Sequence, residues 1–231
     1  MLFRSANKLE SIYRPQLLNR SHFQIYSALL TVELTQYLAK ELQANYPNEV
    51  LRIGIICPYK AQATLVDKVL SSLHVNYKNI RIQTGTIHSF QGDECNIILC
   101  LFNPPPTISK SPNAFLNKMN ILNVAISRAK DYLILLMPDD DTAGIENLYQ
   151  IKRLRGIIQY YLAGVCQKWT STEIEEILFG APDFLYENTF ATTHQSVNVY
   201  TKPEKKYEIR VEETAIDVQV HLPPPQYFND L

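Results

Sequence analysis

The sequence predicts an α/β fold, a mostly parallel sheet with helices on both faces, followed by a small C-terminal antiparallel β appendage. Three observations carry that prediction. Short apolar runs of buried-strand length, such as Arg52 to Cys57, alternate with stretches whose apolar residues recur at helical intervals. From about Thr192 the pattern changes to alternation at period two, the mark of half-buried strands. A chain of 231 residues with 46% hydrophobic content can bury a sizeable core.

Taken in order, Ser21 and Gln24 have capping-box spacing, and Ile25, Ala28, Leu29, Val32, Ala39 and Leu42 then share a helical face as far as Pro47. Arg52 to Cys57 is a buried strand. Pro58 suits the first turn of a second helix, whose Leu65, Val66, Val69, Leu70 and Leu73 form one stripe. Ile80 to Thr86, Asn96 to Phe102 and Asp131 to Met137 give three further strands. A helical pattern, Ile121, Leu122, Ala125, Ile126 and Ala129, precedes the last of them. Pro104, Pro105, Pro106 and Pro112 make Asn103 to Lys118 an exposed loop. Leu148, Ile151, Leu154, Ile158, Tyr161 and Leu162 mark another amphipathic helix, on which Lys152, Arg153 and Arg155 form a basic edge. Val197 to Leu222 supplies the alternating strands, and Pro223-Pro224-Pro225 opens a mobile tail.

Several function classes find no support. The longest apolar runs are far short of the roughly 20 residues that span a bilayer. The start carries no targeting pattern, so a cytoplasmic protein is expected. Cys57, Cys95, Cys100 and Cys166 form no CxxC pair, and the histidines lack metal-ligand spacing. Asp139, Asp140 and Asp141 read as a solvated turn. A net charge of −1 gives no overall footprint for nucleic acid, so any such binding rests on local geometry.

Three segments could carry chemistry. In Thr86-Ile87-His88-Ser89-Phe90-Gln91-Gly92-Asp93-Glu94, a polar stretch lies between two strands. There Gly92 would let backbone approach a ligand, Glu94 could accept from ribose hydroxyls and Thr86 could donate to a phosphate. In Asn123-Val124-Ala125-Ile126-Ser127-Arg128-Ala129-Lys130, Arg128 falls at the border of the apolar helical stripe, where its guanidinium could emerge into a cleft against a transferring phosphoryl group. In Ile53-Gly54-Ile55-Ile56-Cys57-Pro58-Tyr59-Lys60-Ala61-Gln62, Tyr59 could stack on a base, and Gln62 or the helix start could meet a phosphate. Alone, each has an ordinary structural explanation: a polar turn, a surface arginine, a helix start with a half-buried tyrosine.

In this order the three segments, with the last running into Tyr132-Leu133-Ile134-Leu135-Leu136, resemble motifs IV, V and VI of superfamily 1 DNA/RNA helicases of the Upf-like, Dna/Nam-type group. The resemblance covers about residues 20 to 140. It implies a RecA-like, P-loop NTPase-type domain, the second of two that enclose ATP and grip a single strand of DNA or RNA. It further implies that Glu94 contacts the nucleotide ribose and that Arg128 is the finger reaching the γ-phosphate. Gln91 and Gly92 would link the nucleotide site to the strand. Thr86 and His88 would lie near the nucleic-acid backbone, with Pro58 and Tyr59 in a strand-facing loop.

The chain departs from that pattern in places. Asn120 and Ile121 stand where arginines are common. Tyr13-Arg14-Pro15 is only an echo of the adenine-stacking Gln-Tyr-Arg-x-His-Pro segment. The seven glycines are followed by Ile55, Thr86, Asp93, Ile145, Ile157, Val165 and Ala181, so there is no Gly-Lys of a Walker A loop. ATP and Mg²⁺ are therefore expected to be bound mainly by an N-terminal RecA-like domain of the same parent polypeptide, with this chain inactive alone. The expected organisation is a lead-in over 1–20 from an upstream region, a second RecA-like domain over 21–165, and an α+β appendage over 166–231. The alternative is a noncatalytic RecA-like module that binds a partner protein or nucleic acid.

Overall fold

The computed structural model describes residues 8–90, 92–105, 108, 115–139, 142 and 144–222, without the side chains at 120 and 121. Gln91, Pro106, Pro112, Asp140, Asp141 and the Pro223-Pro224-Pro225 tail lie outside the described residues.

Two short strands, β1 (Gln16–Leu18) and β2 (Ser21–Phe23), pair antiparallel. Asn19 and Arg20 join them at φ of 50° and 62°, the left-handed backbone that a two-residue hairpin turn needs. Helix α1 (Ile25–Asn45) follows, with Gln24 rather than Ser21 at its N-cap. Ser21 is already paired in β2, so its hydroxyl is aimed elsewhere. It accepts from Ala61 N–H at 2.9 Å, capping the helix that follows the next strand.

The central sheet contains β3 (Leu51–Cys57), β4 (Ile80–Thr86), β5 (Cys95–Leu101) and β6 (Ala129–Leu136). All pairings are parallel, in the order β4-β3-β5-β6. Helix α2 (Lys60–Ser72) connects β3 to β4, and α3 (Met119–Ile126) precedes β6. The period of two sorts the strands' side chains between two cores. Ile53, Ile55, Cys57, Ile97, Leu99 and Leu101 pack with α1 and α2. Ile56, Ile98 and Cys100 face the other way, toward Leu122 and Ala125 of α3 and Ile151 of α4 (Tyr149–Tyr161). Each isoleucine and leucine among them stabilises the fold by roughly 1.5–3 kcal/mol on burial.

Beyond α4 come α5 (Ser171–Phe179) and α6 (Phe184–Glu187), then a meander of β7 (Thr189–Thr193), β8 (Ser196–Lys202), β9 (Lys205–Val211) and β10 (Ile216–His221). A full capping box between Thr170 and Glu173 starts α5, and Gly180 at φ 81° ends it. Val197, Val199, Tyr207, Ile209, Ile216 and Val218 belong to the same apolar cluster as α1 and α2. Helix α1 is thus enclosed by one sheet and by the meander, and it buries Thr31, Glu33, Thr35 and Gln36 along with its apolar stripe. The two threonine hydroxyls donate to carbonyls one turn back. Glu33 meets Lys205 of β9 at 2.5 Å.

Three local expectations are corrected. The loop from Asn103 to Lys118 is not exposed at its ends: Asn103, Leu116 and Asn117 are buried, and Phe115–Asn117 forms a 3-10 turn. Leu116 joins the second core, and the Asn103 amide donates to Gln62 Oε1 at 3.4 Å. The helix before β6 stops at Ile126, so Arg128 sits in a turn and Ala129 begins the strand. Ser21, finally, caps α2 and not α1.

Candidate functional site

The segment after β4 has to return from one edge of the sheet to the other. Thr86 is level with Cys57 at the carboxyl ends of the strands, whereas Cys95 begins β5 beside Ala129 at the amino ends. Six residue steps at about 3.3 Å separate those edges, roughly 20 Å. The chain covers this span across the face of the sheet. A 3-10 turn, Ile87–Phe90, buries Ile87 and Phe90 in the second core. Glycines make room for it: a Cβ on Gly54 would lie 2.8 Å from Phe90 Cε1, and one on Gly85 would lie 2.0 Å from Ser89 Oγ. Gly92 has open space but φ of 91°, a backbone state that side chains oppose.

At the amino edge, Cys95 N–H donates to Arg128 carbonyl oxygen at 3.0 Å, which sets the loops carrying Glu94 and Arg128 side by side. Arg128 is half-buried. Its Nε donates to Val124 O at 3.2 Å and its Nη2 to Ser127 Oγ at 3.3 Å, so the stem is fixed while further N–H donors of the fork remain. Glu94 is exposed and lies 3.6 Å from Lys130 Nζ. With both partners more than half exposed, at 55% and 54%, that pair is weak and leaves the carboxylate open to a ligand.

A polar network beside these residues was not anticipated from the sequence. Arg52 Nη2 donates to Gln83 Oε1 at 3.0 Å and lies 3.6 Å from Asp93 Oδ1, while Gln83 Nε2 donates to Asp93 Oδ2 at 3.3 Å. Asn96 accepts from Arg52 N–H at 3.0 Å and donates to Asp131 at 2.9 Å. The network ties Asp93, the neighbour of Glu94, to β3 and β4. Its one legible sign was an arginine opening an otherwise apolar strand.

The carboxyl edge collects the remaining residues. Pro58 is buried, Tyr59 and Thr86 are half-buried, and His88 is exposed. Tyr59 is the N-cap of α2; its ring meets His22 edge-on at 5.1 Å and Phe115 at 5.7 Å. Burial raises the Tyr59 phenol and lowers the His22 imidazole from their ordinary values. Gln62 is not available to a phosphate. It is fully buried, accepts from Gln24 N–H at 2.7 Å and donates to Ser27 Oγ at 3.3 Å. The structure therefore brings Glu94 and Arg128 together at one edge, and Pro58, Tyr59, Thr86 and His88 at the other, joined by the 87–94 crossing. Gln91 lies outside the described residues.

Among the described residues, no group of three His, Cys, Asp or Glu side chains stands close enough to hold a metal ion. Among the described residues, no helix is long and apolar enough to cross a membrane.

A family model described as an AAA domain matches residues 10–139. Helicase SEN1 of Saccharomyces cerevisiae is 33% identical over 109 residues, 46% of this chain and 5% of that protein. A probable helicase of Dictyostelium discoideum is 31% identical over 106 residues, 45% of this chain and 10% of that protein. The DNA replication ATP-dependent helicase/nuclease DNA2 of Gallus gallus is 37% identical over 84 residues, 36% of this chain and 8% of that protein. The matches thus span a tenth or less of the length of each relative. Over half its length, with a parallel α/β sheet and the ordered segments described above, the chain belongs to the AAA-domain family of superfamily 1, Upf1-like helicases.

Proposed function

We propose that this chain is the second motor domain of an ATP-dependent superfamily 1 helicase or translocase. One observation carries the reading: the Cys95 to Arg128 backbone hydrogen bond, 3.0 Å long, which holds a half-buried guanidinium and an open carboxylate on adjoining loops. Arg128 would reach across the cleft to the transferring phosphoryl group as an arginine finger, an obligate charge worth a factor of about 10³ or more in turnover. Glu94 would accept hydrogen bonds from the ribose hydroxyls, and Gly92 with Gln91 would let the loop backbone close on the nucleotide.

At the opposite edge, Pro58, Tyr59, Thr86 and His88 would form part of the track for single-stranded DNA or RNA. The 87–94 crossing would couple the two edges. Movement of the amino-edge loop with the nucleotide would then reach Thr86 and His88 through Phe90, which is locked between Gly54 and Gly85. The phosphates and Mg²⁺ would be held by a first RecA-like domain on another stretch of the parent polypeptide, because no Gly-Lys occurs here. This chain alone would then be inactive. We end the second RecA-like domain at residue 165, with 166–231 as a unit that braces α1 and α2; the hairpin of Gln16–Leu18 with Ser21–Phe23 spans the boundary expected at residue 20 and joins the lead-in to that domain.

The test is Arg128→Ala in the complete two-domain protein. Turnover should fall about a thousandfold while ADP binding stays near wild type. Normal turnover would exclude the finger role, whereas a wild-type two-domain protein without turnover would favour a noncatalytic module that binds a partner protein or nucleic acid.

A further inference from the structure

We propose that α4 and the segment after it form a landing surface for single-stranded nucleic acid. This extends the strand path proposed above and rests on that reading of the carboxyl edge. Helix α4 is docked on one side only. Leu148 and Ile151 are buried in the second core, and Leu154 packs against it. The opposite face carries Lys152 and Arg153, both exposed, and then Ile157, Tyr160 and Tyr161 at 40%, 77% and 82% exposure. Arg153, Ile157 and Tyr160 or Tyr161 follow i, i+4 and i+7 or i+8 spacing, so cation and aromatic rings share one stripe. Every residue from 161 to 170 is exposed, including Val165 at 80% and Trp169 at 54%.

Charge selects the partner. Between Glu146 and Glu173 there is no acidic residue, while Lys152, Arg153, Arg155 and Lys168 are basic, in a chain whose net charge is −1. A local basic stripe on a neutral chain is the footprint of phosphate contacts. Exposed aromatic rings beside it supply platforms for stacking unpaired bases, an interaction that tolerates any sequence. Arg155 is engaged within the fold and is left out of the proposed contacts.

The location fits the same strand. Asn117 Nδ2 donates to Asn147 O at 2.9 Å, joining the 3-10 turn at Phe115–Asn117 to the start of α4. In that turn Phe115 lies 5.7 Å from the ring of Tyr59. A strand crossing Tyr59 would therefore continue past Phe115 onto α4.

The experiment uses the 231-residue chain and a fluorescein-labelled oligothymidylate or oligouridylate, with binding read by anisotropy against salt. Three variants are compared: Y160A/Y161A, K152A/R153A and Y59A, each checked for a wild-type circular dichroism spectrum. Removing the two exposed tyrosines should weaken binding about tenfold or more. Removing the two cations should lower the slope of log affinity against log salt by about 1.4, at about 0.7 per phosphate. Absence of binding at low salt would overturn the inference and hand the surface to a protein partner. Wild-type affinity and slope in both α4 doubles would also overturn it; if Y59A is weakened in that case, the carboxyl-edge track stands without the extension. Weak binding in the α4 doubles with Y59A unaffected would sustain the inference and remove Tyr59 from the track.

Discussion

Lys205→Met tests how the antiparallel meander is held to α1. Lys205 Nζ lies 2.5 Å from Glu33 Oε1 and 3.1 Å from Gln36 Oε1, with the lysine and glutamate side chains only 11% and 6% exposed. Tyr207 hydroxyl and Gln36 Nε2 also donate to the Glu33 carboxylate. Burial lowers the Lys205 pKa and raises that of Tyr207, so the site is dry enough for an unmatched charge to be costly. Breaking a buried pair from one side costs about 3–5 kcal/mol. Tyr207 and Gln36 still solvate the carboxylate here, which puts the expected loss near the lower end, about 3 kcal/mol. For a chain of this size that is about 6–12 °C in Tm, at about 2–4 °C per kcal/mol. Glu33→Leu combined with Lys205→Met should recover most of the loss, because no charge then remains to be buried. Thermal unfolding followed by circular dichroism reads both. A Lys205→Met shift below about 2 °C, or a double variant worse than the single, would refute the reasoning.

Other elements make separate predictions. Gly54→Ala would push a Cβ to 2.6 Å from Ile98 Cδ1 and 2.8 Å from the rigid Phe90 ring. It should cost about 1–3 kcal/mol in a denaturant melt and slow ATP turnover of the two-domain protein; a variant unchanged in both would mean that the 87–94 crossing does not rest on Gly54. Glu175 is buried, accepts from Tyr26 hydroxyl and Leu185 N–H, and has its pKa raised above 4.5 by burial. The unfolded carboxyl therefore loses its proton first as pH rises. The contribution of this group to stability is full below about 4.5 and is lost as pH climbs through the folded value. Glu175→Gln lacks that titration, so its stability relative to wild type should improve steadily from pH 4.5 toward neutrality. A difference that stays constant with pH would contradict this assignment.

The parallel sheet was legible because its strands are buried on both faces and read as plain apolar runs, as in Ile53 to Cys57 and Ile97 to Leu101. The hairpin at Gln16 to Phe23 was not, because its strands have three residues each and leave no period to detect. Its visible trace, Asn19 at a left-handed turn position, lay next to a Ser21 and Gln24 spacing that mimicked a helix cap. The true capping box, Thr170 with Glu173, stood unread in the sequence before α5. Glu33 and Gln36 fall outside the apolar stripe read for α1, and it is the packing of β9 against them that buries them. The same limit applies to the site. Glu94 and Arg128 could be chosen from the order of three segments, but Arg52, Gln83 and Asp93 meet only when β3, β4 and the crossing loop are assembled. Nor does any local pattern show that the 86–94 segment spans both edges, since that follows from the parallel register of β4 and β5 beside β3.

The most direct measurement of the central claim is nucleotide affinity in the two-domain protein, compared across ADP, ADP with aluminium fluoride as a mimic of the transferring phosphoryl group, and 2′,3′-dideoxy-ADP. The account predicts that Arg128→Ala loses the extra affinity for the mimic and keeps ADP binding. Glu94→Ala should weaken ADP and its mimic alike while leaving the dideoxy nucleotide unaffected. If neither variant separates the three ligands in this way, Glu94 and Arg128 do not share one wall of a nucleotide pocket.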